Sequence, residues 1–372
     1  MVEELIHFKI SAPGRIVLSG EHSAIYRKHF VATSLNLRTN LEFWELNDLE
    51  KFIHIEFPEV NFTYNIDLKI IKFFCGDNEV NSTLDNFIKY LKYMITVYGL
   101  WITFTQKRAL MIFFYLLFET IKRGELEIKP FRIKVTSELP INSGLGSSTS
   151  FAVCVAACFL HWKRLHTQNQ PVEFDNPDFK KEVKSYVASY EDFLLDYDCA
   201  WIDTDVCIYG NIRKSRLTDY INVDTVDSQD LQEMKILLVP SKVPQKKHHQ
   251  TKQMIHRKLN SNAESNEFEI LLNELDDVAI QIYDNLKSLS DNIKNIGLRE
   301  CRQHYKSLRK SIKWNQQLLC NNFLTNEEFD KICKIAKDKG FAGKLTGFAA
   351  KYVYILLPPY VKKEKSRILK QN

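Results

Sequence analysis

Apolar and polar side chains alternate with period two at two places in the chain. Phe52-Ile53-His54-Ile55-Glu56-Phe57 is one; at the other, Phe131, Ile133 and Val135 point one way and Arg132, Lys134 and Thr136 the other. Each pattern predicts a half-buried strand, and residues 7–60 as a whole read as strand-rich. Residues 83–123 are rich in aromatic and aliphatic side chains with no proline, which predicts helix. Further helices are expected at about 148–163, at about 179–195 and through 262–313, with a surface loop over 166–180 marked by Pro171 and Pro177. Ile236-Leu237-Leu238-Val239, stopped by Pro240, predicts a short buried strand, and Tyr352 to Leu357 a last one. No internal repeat interrupts this order. Strands and helices cluster instead of alternating strictly, so the fold class is α+β.

Length turns the pattern into an organisation. At roughly 150 residues per domain, 372 residues imply two or three domains, or two lobes around one site. The 236–239 strand places the division near 1–230 and 231–372. With 45% hydrophobic and 26% charged residues the chain can bury sizeable cores, which excludes collagenous, low-complexity and wholly disordered classes. The longest apolar runs, Ala109 to Phe118 and Phe151 to Leu160, are half of the roughly 20 residues a membrane span needs. Met1-Val2-Glu3-Glu4 lacks the basic-then-apolar order of a signal peptide. Eight cysteines are scattered without a Cys-x-x-Cys pair, which fits a reducing compartment and offers no zinc site. Cys154 and Cys158, four apart in an apolar run, read as core residues on one helical face. These features together predict a cytoplasmic protein with no membrane partner.

Charge adds one local feature. The net +5 is mild, and the basic residues are not interleaved with aromatics on a sheet, so no nucleic-acid partner is expected. From Lys242 to Lys258, however, six Lys/Arg and three His occur with no acid; that segment alone carries +6, and the rest of the chain sums to −1. It reads either as a solvated loop and helix start or as a basic wall for an anion.

The candidate chemistry lies in three glycine-bearing turns. Glycine is scarce, 12 residues in 372, yet seven fall at Gly14 and Gly20, at Gly144 and Gly146, and at Gly340, Gly343 and Gly347. The strongest signal is Pro140-Ile141-Asn142-Ser143-Gly144-Leu145-Gly146-Ser147-Ser148-Thr149-Ser150, which follows a predicted strand and opens a predicted helix. Two glycines let the backbone fold around a bulky anion, and the free N–H groups of the helix start favour phosphate. Ser147 and Ser148 can donate to phosphate oxygens or ligate Mg²⁺; the lysine of a Walker A loop is missing. A serine-capped helix after a tight turn is the plain alternative. The first turn, Ser11-Ala12-Pro13-Gly14-Arg15-Ile16-Val17-Leu18-Ser19-Gly20-Glu21-His22-Ser23-Ala24-Ile25-Tyr26, gathers Arg15, Glu21 and His22 at strand ends. The third, Gly343-Lys344-Leu345-Thr346-Gly347-Phe348-Ala349-Ala350-Lys351-Tyr352, is a small-residue turn into a strand.

In order and spacing the three segments resemble the GHMP kinases, and within them the mevalonate kinases. Pro-x-x-x-Gly-Leu-Gly-Ser-Ser matches the phosphate loop of that superfamily. Ala-Pro-Gly-basic with Gly-Glu-His-Ser-Ala-x-Tyr is similar to the first motif, Lys-Leu-Thr-Gly to the start of the third, and Lys242-Val243-Pro244 to a further mevalonate kinase feature. The resemblance spans residues 8 to 357. It implies a two-lobed fold, an N-terminal ribosomal-protein-S5-like α/β lobe and a C-terminal ferredoxin-like α+β lobe with the active site between them. It also implies ATP and Mg²⁺, mevalonate as the small-molecule substrate, phosphorylation of its 5-hydroxyl, and a homodimer. Carried over residue by residue, Asn142, Ser143, Gly144, Leu145, Gly146, Ser147 and Ser148 form the loop around the ATP phosphates, and Ser147 ligates the metal. Asp203 is the catalytic aspartate, and Asp192, or its neighbour Glu191, is the second metal carboxylate. Arg15 stabilises the growing negative charge, Glu21 and His22 hold the mevalonate end, and Lys247 stands where the family has a substrate-contacting threonine.

The chain also departs from the pattern. Arg15 replaces a lysine, Trp201 stands for a glycine beside the aspartate, and the glycine run of the third motif has become Phe348-Ala349-Ala350-Lys351. These departures leave room for a catalytically weakened paralogue acting as a binding or regulatory protein. Kinases of the same superfamily for another small alcohol, such as galactose or 5-phosphomevalonate, are further alternatives.

Overall fold

The computed structural model describes residues 5–76, 83–124, 126–168, 173–194, 200–216, 223–226, 231, 235–241, 243, 247–260, 266–295, 298–347 and 351–357. The chain divides into two compact units. The first takes Met1–Gly14, Leu35–Ile141 and Gly146–Tyr209; the second takes Arg15–Ser34, Asn142–Leu145 and Gly210–Asn372.

The first unit is a sheet backed by helices. Its strands come from β1 (His7–Ser19), β2 (Phe30–Glu45), β3 (Phe52–Phe57), β4 (Phe62–Asp67) and β5 (Phe131–Ser137); β1 and β2 also contribute residues to the second unit. β3 and β4 form a hairpin closed by Phe57 opposite Phe62, while β5 runs parallel to β3 and antiparallel to β2. The period-two pattern does what it predicts: Ile53, Ile55, Phe131, Ile133 and Val135 are buried, and the alternating residues His54, Glu56, Arg132 and Lys134 are not. The helices are α1 (Leu68–Gly76), α2 (Leu84–Val97), α3 (Phe104–Gly124), α4 (Ser147–Gln168), α5 (Pro177–Leu194) and α6 (Ala200–Tyr209). The two ten-residue apolar runs are the middles of α3 and α4. Leu110 to Thr120 and Ala152 to Trp162 are buried without a break, so these helices are apolar all round and form the centre of the unit. Phe43, Phe131 and Trp162 stack between sheet and helix with ring centroids 4.9–5.4 Å apart. Among the described residues no helix is long and apolar enough to cross a membrane.

Cys154 and Cys158 sit in the interior of α4, fully buried. Burial pushes the Cys154 thiol up to about 12 and the Cys158 thiol well above its usual range. Both are free, as are the other cysteines whose pairing is described.

The second unit holds β6 (Ile212–Ser215), β7 (Asp224–Val226), β8 (Lys235–Pro240), α7 (Lys247–Asn260), α8 (Glu267–Asn295), α9 (Leu298–Asn321), α10 (Glu327–Asp338), β9 (Ala342–Leu345) and β10 (Tyr352–Leu357). β10 lies between β8 and β9, antiparallel to both, with Val353 opposite Val239 and Leu345. Phe268, Leu272 and Leu275 of α8, Leu318 and Leu319 of α9 and Phe329 of α10 pack with Val353 and Ile355 into its core. The segment Arg15–Ser34 is tied to α8 by Asp276, whose Oδ1 accepts from His29 N (2.6 Å) and pairs with His29 Nδ1 (2.8 Å). Burial would raise the Asp276 pKa, but the His29 hydrogen bonds hold it below the usual carboxylate value.

Several helix boundaries differ from the sequence reading. Residues 83–123 contribute to two helices, α2 and α3, the 262–313 stretch contributes to two, α8 and α9, and α4 runs to Gln168, into the expected loop. The first break has a local cause. Gly99 adopts φ +61, the left-handed conformation that ends a helix without strain. Thr103 and Gln106 then build a reciprocal capping box: Gln106 N donates to Thr103 Oγ1 (3.2 Å) and Thr103 N to Gln106 Oε1 (3.1 Å).

Candidate active site

The phosphate-loop sequence adopts the backbone it was read for. Positive φ recurs at every second residue, Asn142 (+55), Gly144 (+77) and Gly146 (+77). Alternation of this kind turns successive N–H groups toward one concavity, a nest for an anion. α4 starts at Ser147, and Ser150 N closes onto the Gly146 carbonyl at 2.9 Å. Arg15 grips the loop in the second unit: its guanidinium Nη1 donates to Gly144 O (2.7 Å) and its backbone N to Leu145 O (3.0 Å). Ser143 is buried, and among the described residues its Oγ has no hydrogen-bond partner. An orphaned buried hydroxyl beside a concavity of N–H groups suits a phosphate oxygen, so the loop fits a nucleoside triphosphate.

Glu21 and His22, also in the second unit, lie beneath the surface at 2% and 1% exposure. The sequence reading missed their partner. Lys344 Nζ, fully buried, donates to Glu21 Oε1 at 2.5 Å and to Leu345 O at 3.0 Å. Burial lowers the Lys344 pKa from its usual 10.5, and the Glu21 carboxylate pulls it back. Glu21 Oε2 has no hydrogen-bond partner among the described residues. Burial pulls the His22 pKa from 6.5 down to about 4; Glu21 opposes this, Lys344 adds to it, and a backbone hydrogen bond at Leu324 opposes it again. The imidazole is therefore neutral near pH 7. Nothing local announces the Glu21–Lys344 pair, whose members lie 323 positions apart.

The low pKa of His22 has a measurable consequence. Between pH 4 and 6.5 the unfolded chain binds a proton at this position that the folded chain does not. The stabilisation is complete above pH 6.5 and declines as pH falls toward 4, by about 3 kcal/mol in total. Denaturant unfolding of the wild type and of His22→Gln at pH 7.5 and 5.0 checks this: the loss on acidification should be smaller in the variant, and equal losses would contradict it.

Gly20, between Ser19 and Glu21, has φ +92, and a Cβ there would stand 2.2 Å from His29 O and 2.8 Å from Phe30 Cα. Both obstacles are backbone and cannot move aside. Gly20→Ala should destabilise the protein by about 2–3 kcal/mol, read as a drop in unfolding midpoint. A loss below about 1 kcal/mol would contradict the close approach.

In the first unit, Asp203 stands in the first turn of α6 and is 4% exposed. Asp205, two residues on, is also buried. A helix turns about 200° over two residues, so the two carboxylates leave it on opposite sides. Asp205 is engaged by Lys184 of α5, whose Nζ lies 2.7 Å from Oδ1. Asp203 therefore leaves α6 on the side away from the Lys184–Asp205 pair.

Ser147 and Ser148 are half-buried at the start of α4. The side chains of Asp192, Glu191 and Lys247 lie outside the described residues, as do Phe348, Ala349 and Ala350 of the third motif. No group of three or more His, Cys, Asp or Glu that could hold a metal occurs among the described residues. Part of the basic segment has structural work: Arg257 Nη2 donates to Asn322 O (3.2 Å), and Lys258 Nζ lies 5.7 Å above the Tyr26 ring.

Comparison with known proteins agrees with this geometry. Residues 110–176 match the profile described as GHMP kinases N terminal domain. That match covers the glycine turn and α4, and over this segment the chain is similar to the GHMP kinases. The curated proteins it resembles include mevalonate kinases. The human enzyme is 31% identical over 157 residues, 41% of this chain and 38% of its own length. The bovine enzyme is 23% identical over 357 residues, 91% of this chain and 82% of its own. The crystal structure of the Methanococcus jannaschii mevalonate kinase superposes with a TM-score of 0.63 at 18% identity, covering 98% of this chain and 94% of that one. The chain thus aligns with most of the bovine enzyme and with little more than a third of the human one.

Proposed function

We propose that the protein transfers the γ-phosphoryl group of ATP to the 5-hydroxyl of mevalonate, giving 5-phosphomevalonate. The observation that carries this is the loop at 142–148, with alternating positive φ, a bare Ser143 hydroxyl and the Arg15 clamp. Phosphoryl transfer asks a protein mainly for positioning and charge stabilisation, and such a loop supplies both to the triphosphate. Asp203 orients the substrate hydroxyl and accepts its proton. Arg15, which already bonds the loop, spreads its charge toward the phosphates. Glu21 and His22 form the floor of the mevalonate end, with Lys344 holding the Glu21 carboxylate in place. Ser147 and the carboxylate at 192, or 191, would hold Mg²⁺, which neutralises the triphosphate charge when bound.

The test is an ADP-release assay on the purified full chain with Mg-ATP. Turnover with mevalonate, and none with galactose or 5-phosphomevalonate, is the expected result. Turnover only with one of the other acceptors would overturn the substrate. Absence of turnover with all three, together with no thermal stabilisation by millimolar Mg-ATP, would overturn the kinase itself.

A further inference from the structure

The turn between α2 and α3 displays apolar side chains outward. Ile102 and Phe104 are 87% and 83% exposed, and Tyr93, Val97 and Tyr98 beside them are about half exposed or more. Lys89, Tyr93 and Val97 recur every four residues, so one face of α2 leads from charge to apolar tip. Isolated exposed apolar residues need no explanation, but a contiguous group of them marks an interaction surface.

This tip is held rigidly. Gln106, only 6% exposed, accepts from Ile102 N (2.8 Å) and Thr103 N (3.1 Å) and donates to Val60 O (3.0 Å) and Asn61 O (3.2 Å). Trp101 is fixed from both sides, by its Nε1 donating to Thr96 Oγ1 (3.3 Å) and by Lys107 Nζ lying 4.5 Å over its ring. The buried glutamine thus caps α3 and ties the turn that carries Ile102 to residues 60 and 61, so the turn has a fixed place on the surface.

The charge around the tip selects the partner. Residues 68–109, which contain α1, α2 and the turn, carry six Lys/Arg against three acids, Asp77, Glu79 and Asp85, and from Asn86 to Ala109 four Lys/Arg and no acid. A second copy docking symmetrically would set this basic surface against itself, which like-charge repulsion disfavours. An exposed apolar turn with Lys89, Lys92, Lys107 and Arg108 on the adjoining helices instead matches an anionic bilayer, where aromatic and aliphatic side chains enter the headgroup boundary and lysines meet the lipid charge. We infer that the α2–α3 turn is a peripheral attachment site for anionic membrane surfaces, with Ile102 and Phe104 inserting and Lys89, Lys92, Lys107 and Arg108 contacting headgroups. The expectation of no membrane partner rested on the lack of a span, and surface attachment needs none.

Co-sedimentation of the full chain with vesicles tests this. Vesicles of phosphatidylcholine with 30% phosphatidylserine should retain the wild type, and pure phosphatidylcholine or 0.5 M salt should weaken retention at least about tenfold. Ile102→Ser/Phe104→Ser should lose binding by at least about tenfold while keeping its melting temperature and kinase activity. Three results would overturn the proposal. They are no retention on phosphatidylserine vesicles, retention that the double variant leaves intact, and a tip-dependent dimer by sedimentation velocity in place of vesicle binding. None depends on kinase turnover, so failure here and failure of the kinase reading are separable.

Discussion

Asp203→Asn is expected to lower turnover with Mg-ATP and mevalonate by about 100- to 10,000-fold while leaving the melting temperature nearly unchanged. The range is that of removing a positioned general base. Asparagine keeps the size of the side chain and its place in the first turn of α6, but it cannot accept the hydroxyl proton. The loss should fall on kcat more than on KM, since the hydroxyl is still oriented and only the proton transfer fails. Asp205→Asn supplies the control. Its carboxylate is taken by Lys184 and directed away, so its cost should appear in stability, with turnover within about tenfold of wild type. If Asp203→Asn turns over like the wild type, or if Asp205→Asn is the inactive one, the assignment on α6 is wrong.

The second large effect concerns Lys344. Lys344→Met removes the cation from a fully buried pair and strands the Glu21 carboxylate in the interior. Breaking a buried pair in this way costs about 3–5 kcal/mol, far more than the pair contributes relative to an apolar replacement. Urea unfolding should show a loss of that order. Glu21→Gln/Lys344→Met should recover much of it, because the double variant leaves no unbalanced charge. Residual activity of Lys344→Met should show a raised KM for mevalonate with a smaller change in kcat, since Lys344 acts through Glu21. A single variant within about 1 kcal/mol of wild type would show that the pair does not exist in solution.

The parts of the fold legible in the sequence are those specified by neighbours in the chain. The period-two strands at 52–57 and 131–137, the glycine loop into α4 and the two thoroughly apolar helices all follow from short-range pattern. The break between α2 and α3 was equally local, in Gly99 and the Thr103-x-x-Gln106 box. Apolar residues on both sides of Gly99, among them Met94, Ile95, Val97, Leu100 and Trp101, masked it, because periodicity is insensitive to a helix that stops and restarts in apolar surroundings. The site divides along the same line. The glycine turn with its positive φ values was readable from local sequence, and Asp203 was singled out by motif position, whereas the Glu21–Lys344 pair and the Arg15–Gly144 hydrogen bond depend on chain closure over long separations. The Lys184–Asp205 pair, 21 positions apart on separate helices, was hidden for the same reason.

The two thiols at the centre of α4 make the protein its own stopwatch. A thiol whose proton leaves only at about pH 12, enclosed by side chains on every side, does not meet an alkylating reagent while the helix stays packed. Cys154 and Cys158 therefore become labelled only when the first unit opens. The rate of their modification at rising reagent concentration reports how often that happens, without any denaturant.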